Sequence, residues 1–478
     1  MIFLTMRLIT FAVILLFTIQ TNAQDHSVIL SNPDDRDLKI EDKYNEVVPK
    51  LLKAYAVPSA AIGIIHNGNV IYQKVFGQKS AQNSKAASLD TLFNVGSISK
   101  TATAWGVMKL DEKRLIELSN PVESYLTKWQ LPLSNFNHNK VTTQALLNHT
   151  AGLSMWGVPE FQPSEKVPSI VELLESKTDE EYDVKISHAP NSKWQYSGGG
   201  YAILQLLIEE VSKQKFSKYM KEQVFNPLQM NNSTFSWDEN TISSSATPHD
   251  AAGIPFEGLR FSATSAAGLQ TSLPDMLKLA LGSMGMSEND NVKLPLSQHS
   301  IKLMQTPSKL AEHYGLGYEL FEIGSTKISG HSGQNEGWMS QMITSSDNKA
   351  GLVILTNGTN GIRIIQELEC IWAALALNDE CDPTIQLPIK TTESELHKFS
   401  GKFIDENGNQ VQLNVHHENL FWETDYGYEF ALRANKANEF YFVAGENRLL
   451  FEVENKTTVN KFVKLRDGKK SYFRRVSH

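Results

Sequence analysis

The chain has 478 residues, 41% hydrophobic and 21% charged, which is the composition of a folded globular protein and excludes a disordered one. The length suggests two or three domains. A formal net charge of −8 gives a nucleic-acid partner no general support.

The chain opens with Arg7, the uncharged run "LITFAVILLFTI" and then "QTNAQ". A basic start, a short apolar run and a small residue at Ala23 predict a secretory signal peptide over residues 1–23, cut before Gln24. The run is shorter than the roughly 20 residues a membrane span needs, so no stable span is expected after cleavage. The expected location is periplasmic or secreted. In such an oxidising compartment Cys370 and Cys381 would form one disulfide or remain two free thiols.

"DKYNEVVPKLLKAY" (42–55) has helical apolar spacing, and "AAIGIIHNGNVIYQKVFG" (60–77) reads as a hairpin turning at Asn67-Gly68. A helix follows from Ile98, with Ile98, Ala102, Trp105 and Met108 marking one buried face. From about 140 to 310 the pattern is mostly helix and loop, with a capping box at Ser169 and Glu172 and an apolar-faced helix over 201–214. Residues 337–357 predict two strands joined at Asp347-Asn348, and 360–377 a helix capped by Asn360. Strands early and late with helices between predict an α/β fold: one antiparallel sheet built from both chain ends, with a helical lobe inserted. After a linker over 385–395, short alternating strands predict a small β-barrel or sandwich over 396–478.

Ser-x-x-Lys occurs three times, as Ser97/Lys100, Ser212/Lys215 and Ser346/Lys349. The second pair lies in a charged helix end and the third in the predicted hairpin turn, so both read as surface. The first stands where a helix begins, behind Gly96, which leaves room for another group. Unpaired N–H groups at a helix start favour an oxyanion. A serine hydroxyl needs a base, and a lysine serves only if burial or a positive neighbour lowers its pKa. "WQYSGGGY" (194–201) offers Tyr196 just before three glycines; alone it reads as a flexible helix entry. "SGHSGQNEGWMSQM" (329–342) offers a strand low in bulk, beside which a substrate backbone can lie.

Ser-x-x-Lys, then Tyr-Ser-x, then His-x-Gly, in this order and far apart, resembles the penicillin-recognising serine hydrolases. The resemblance is to the branch holding class C β-lactamases, D-alanyl-D-alanine carboxypeptidases, D-aminopeptidases and related esterases. "LLNHTAGL" (146–153), "VFNPLQM" (224–230), "SAAGLQTSLPDM" (265–276) and "YGLGYEL" (314–320) fall in the expected order, and the likeness covers about residues 40–375. It implies a hydrolase domain over 24–384 with the α/β sandwich of that superfamily, followed by a lipocalin-like barrel that in some relatives reaches toward the active site. It implies Ser97 as acylated nucleophile, with Lys100 and Tyr196 sharing the proton transfers. Gly198, His331, Ser332 and Gly333 would line the substrate, and the backbone N–H groups of Ser97 and Gln334 would form the oxyanion hole. No metal or organic cofactor is implied. The expected partner is a small-molecule or peptide substrate, plausibly a D-amino-acid peptide; the residues do not specify an oligomeric state.

Two departures bear on activity. Many members carry Asn where this chain has Gly198, whose amide would contact the substrate. β-Lactamases of the branch carry Lys where this chain has His331, and a lysine is the better partner for a β-lactam carboxylate. A β-lactamase or a carboxylesterase is therefore an alternative, as is a low-turnover penicillin-binding or sensor protein. Ser346-Asp347-Asn348 spells the second motif of class A β-lactamases but falls after the third motif, and reads as a turn. No Gly-x-Ser-x-Gly, His-Glu-x-x-His or P-loop pattern occurs.

Overall fold

The computed structural model describes residues 33–476, apart from 83–84, 177–181, 289–291, 383–384, 386, 425–428, 446 and 454–457. The expected signal peptide lies outside the described residues, among which no helix is long and apolar enough to cross a membrane.

The first helix, α1 (Pro33–Tyr55), begins well before the expected 42. It leads into β1 (Ser59–His66) and β2 (Asn69–Gly77). Asn67 and Gly68 both have positive φ, 51° and 79°, as a two-residue hairpin turn requires. Four late strands complete the sheet: β3 (Glu319–Ile323), β4 (Thr326–Asn335), β5 (Trp338–Ser345) and β6 (Ala350–Thr356). The order is β2-β1-β6-β5-β4-β3, antiparallel throughout, so the early hairpin pairs with the last strand as expected. Every residue of β1 is buried because both faces of the sheet are covered. Ala60, Ile62 and Ile64 pack into one core with α1 and a helix at Gly361–Ala376, while Ala61 and Ile65 join the core of the helical lobe.

Helix α2 (Ile98–Glu112) carries the first Ser-x-x-Lys pair. One buried face was expected, but residues from Ile98 to Met108 are buried on all sides, because the helix runs between the sheet and the inserted lobe. The capping box forms as read, Ser169 and Glu172 bonding reciprocally. The predicted 201–214 helix spans Gly198–Ser212, starting early because Ser197 caps it by accepting from the Gly200 N–H. Asn360 does stand before the Gly361–Ala376 helix, but it makes no side-chain cap. Its amide donates instead to the carbonyls of Tyr55 and Ala251, tying three segments together. Cys370 and Cys381 are joined in a disulfide.

The C-terminal part is a closed barrel of eight antiparallel strands between Gly401 and Arg475, filled by aromatic side chains including Phe403, Phe440, Phe451 and Phe462. It docks on the outer side of α1 and the Gly361–Ala376 helix. Tyr441 and Tyr55 share a 2.9 Å hydroxyl contact, Arg433 reaches the Ala54 carbonyl, and Phe421, Ala431 and Val443 join that core. This surface is across the sheet from the lobe that holds α2.

Candidate active site

The turn before α2 brings the segments together. Gly96 has φ +49°, and a Cβ there would lie 2.5 Å from the Gln334 backbone nitrogen. At Gly333 a Cβ would lie 1.9 Å from the Val95 carbonyl oxygen. Side chains at either position would hold β4 away from Ser97; glycines let the two backbones touch. A buried amide network locks the approach. Asn335 Nδ2 donates to Asn94 Oδ1 at 2.6 Å and to the Ala267 carbonyl at 2.9 Å, and Asn94 Oδ1 also accepts from the Gly96 N–H.

Ser97 stands at the N-cap of α2, yet its side chain caps nothing. Lys100, one turn on and 3% exposed, places Nζ 3.1 Å from Ser97 Oγ and donates to the Ala266 carbonyl at 2.9 Å. Burial pushes its amine down from the ordinary value to about 7, against a smaller opposing pull from the Glu319 carboxylate. The rings of Tyr196 and Tyr201 lie 4.8 Å and 5.7 Å from Nζ. The Tyr196 hydroxyl bonds to Ser97; burial raises this phenol well above its usual range, so it keeps its proton.

His331 is 1% exposed and turned inward. Its Nδ1 donates to the Ser332 carbonyl at 2.6 Å, leaving Nε2 to accept from the Tyr314 hydroxyl at 2.9 Å. Burial lowers its pKa, which keeps it neutral. Ser332 and Gln334 face outward on β4. Strand β3 ends at the Glu319–Gly330 pair, so beyond it β4 has no strand neighbour on that side. The Ser332 N–H points into this gap, where it donates to Glu319 Oε2 at 3.0 Å. Backbone direction repeats every second residue in a strand, so the Gln334 N–H points the same way, toward the start of α2. Gly198 lies against the Gly157 carbonyl, under the Tyr196 side of the cleft.

The structure thus gathers Ser97, Lys100, Tyr196 and Gln334, with Gly333 as the contact that permits it. Of the other two Ser-x-x-Lys pairs, Ser212 and Lys215 stand at the far end of the Gly198–Ser212 helix, and Ser346 and Lys349 are exposed in a turn. Sequence reading missed most of the second layer, although His149 in "NHTAG" reads as a residue that orients a loop by hydrogen bonding. Ala266 supplies the carbonyl that holds Lys100, a role that the stretch "SAAGLQTSLPDM" does not announce. His149 is buried between the rings of Tyr196 and Tyr314, at 4.3 and 4.7 Å between centroids, and its Nδ1 accepts from the Ser197 N–H. Its φ of +61° marks a forced loop conformation that no residue pattern announces. Glu319 and Tyr314 both lie in "YGLGYEL", where the order of residues alone gave them no role.

The chain matches the family model described as Beta-lactamase over residues 44–367. It belongs to the beta-lactamase family. The family core therefore covers the sheet, the lobe and every residue of the cleft. Protein flp of Staphylococcus aureus is 23% identical over 330 residues, spanning 66% of this chain and 63% of its own length. The chain thus matches less than two thirds of that relative. Among solved structures, the octameric penicillin-binding protein homologue from Pyrococcus abyssi superposes with a TM-score of 0.58 at 20% identity, covering 91% of this chain and 99% of its own. That share is too large to be the first domain alone, so the shared fold takes in barrel residues. The D-alanine carboxypeptidase AmpC from Burkholderia cenocepacia gives 0.56 at 21% identity, covering 69% of this chain and 95% of its own.

Proposed function

We propose that this protein is an exported serine hydrolase that cleaves small amides or esters, with D-amino-acid peptides as the substrate class, through an acyl-enzyme on Ser97. The observation that carries this reading is the 3.1 Å approach of a buried Lys100 amine, its pKa pushed down to about 7, to the Ser97 hydroxyl. Lys100 takes the proton as Ser97 Oγ attacks the substrate carbonyl. The Ser97 and Gln334 N–H groups receive the oxygen as it becomes negative. Tyr196, protonated and bonded to Ser97, acts as the relay that passes a proton to the leaving group while Lys100 restores it. Water enters by the same base and releases the acid. The family membership supports hydrolase chemistry, and the carboxypeptidase fold-mate is consistent with a D-residue substrate. The leader pattern and the Cys370–Cys381 bond support export.

The test mixes purified protein with a chromogenic ester and, separately, with fluorescent penicillin. Steady turnover abolished in Ser97→Ala but retained in Ser212→Ala and Ser346→Ala is the expected result. Full activity in Ser97→Ala refutes the reading. A stable penicillin label on Ser97 without turnover favours instead the low-turnover binder, which the missing amide at Gly198 would explain.

A further inference from the structure

Glu319 holds a place in the cleft that the catalytic reading leaves without a role. It begins β3 at the point where β4 becomes open, and its side chain is 31% exposed. Oε1 accepts from the Ser332 hydroxyl at 3.0 Å and Oε2 from the Ser332 N–H at 3.0 Å. The two donors that Ser332 offers on the open edge are therefore both committed to the protein's own carboxylate. The next N–H along that edge is Gln334, about 7 Å away by strand geometry. A substrate carboxylate placed beside Ser332 would meet a negative charge and no free donor.

The cleft offers only part of a positive charge to offset this. With its amine pushed down to about 7, Lys100 is charged in roughly half of molecules near pH 7, and burial holds His331 and His149 below their ordinary values. At the far end of the open edge, Glu336 is the next outward residue after Gln334, with Glu160 beside it. Burial and the neighbouring Glu336 push Glu160 up to about 8, so that carboxyl is mostly neutral near pH 7, and the carboxylate bonded to Ser332 is that of Glu319.

Building on the acyl-enzyme reading, we propose that Glu319 is a specificity-determining residue that selects substrates carrying a protonated amine next to the scissile carbonyl and rejects those carrying a carboxylate there. With the carbonyl oxygen at the Gln334 N–H, the amine of an aminoacyl group reaches toward the exposed oxygens of Glu319. The site then takes amino-terminal aminoacyl amides and esters, not peptides recognised by a terminal carboxylate.

The experiment uses the full chain and three anilides with one scissile bond: D-alanine p-nitroanilide and its N-acetyl and N-succinyl derivatives, at pH 7. The wild type should favour the free amine over the succinyl compound by at least a hundredfold in kcat/KM, with the acetyl compound between. Glu319→Gln should compress that ratio at least tenfold while the acetyl compound is still hydrolysed, which shows the variant is folded; Glu319→Asp should keep the order. A ratio unmoved in Glu319→Gln, or a wild-type preference for the succinyl compound, overturns the assignment. Ser97→Ala on the acetyl compound separates the two readings. If that variant remains active the acyl-enzyme reading itself fails; if it is inactive and only the ratio is unmoved, the Glu319 assignment alone fails.

Discussion

Replacing Lys100 by arginine tests the proton chemistry at its centre. An ordinary lysine amine, with a pKa near 10.5, is neutral in only ~0.03% of molecules at pH 7. With the pKa pushed down to about 7, roughly half are neutral. The gain in usable base is on the order of 10³-fold, equivalent to ~5 kcal/mol of disfavour toward the charged form. The structure supplies the cause: a side chain 3% exposed, one carbonyl acceptor at Ala266, and aromatic rings where water would be. For a neutral ester, kcat/KM should rise tenfold per pH unit up to about 7 and then level. Lys100→Arg keeps a fixed charge and should lose at least 10³-fold with the pH limb gone. A limb near 10 in the wild type, or an arginine variant within tenfold of it, would refute the reasoning. Stability should carry the same signature. Between about 7 and 10.5 the unfolded chain binds a proton at Lys100 that the folded chain does not, so this residue's contribution rises with pH across that window. Urea titrations should find Lys100→Met more stable than wild type at pH 7, with the gap closing by about pH 10.

Tyr196→Phe removes the hydroxyl bonded to Ser97 and should lower kcat by ~10²-fold while the Lys100 limb stays near 7, since the phenol is protonated throughout that range. Gly198→Asn should fail to restore an amide contact: its Cβ would lie 2.6 Å from the Gly157 carbonyl oxygen, so thermal unfolding should report a loss of ~1–3 kcal/mol without faster amide hydrolysis. Removing the barrel after residue 390 bares Tyr55 and the Gly361–Ala376 helix and should lower Tm, yet leave the ratio of small-ester to large-ester kcat/KM unchanged, because the barrel docks across the sheet from Ser97. A large rise in large-ester turnover on truncation would show that the barrel gates the cleft.

Local signals in the sequence determined much of the architecture. The Asn67-Gly68 turn, the Ser169–Glu172 box and the switch between strand and helix periods are read from neighbours a few residues apart, and the structure carries them where expected. The Ser97–Lys100 pair was legible for the same reason, since one helical turn sets its spacing. Tertiary structure decided everything that depends on distant contacts. Only packing buries Lys100 deeply enough to lower its pKa, brings the Gln334 backbone nitrogen against Gly96, turns His331 inward onto Tyr314 and spends the Ser332 donors on Glu319. It also made α2 buried on every side and drew the Asn360 amide away from its helix end to Tyr55, because long-range neighbours outcompete a local cap once the chain is folded.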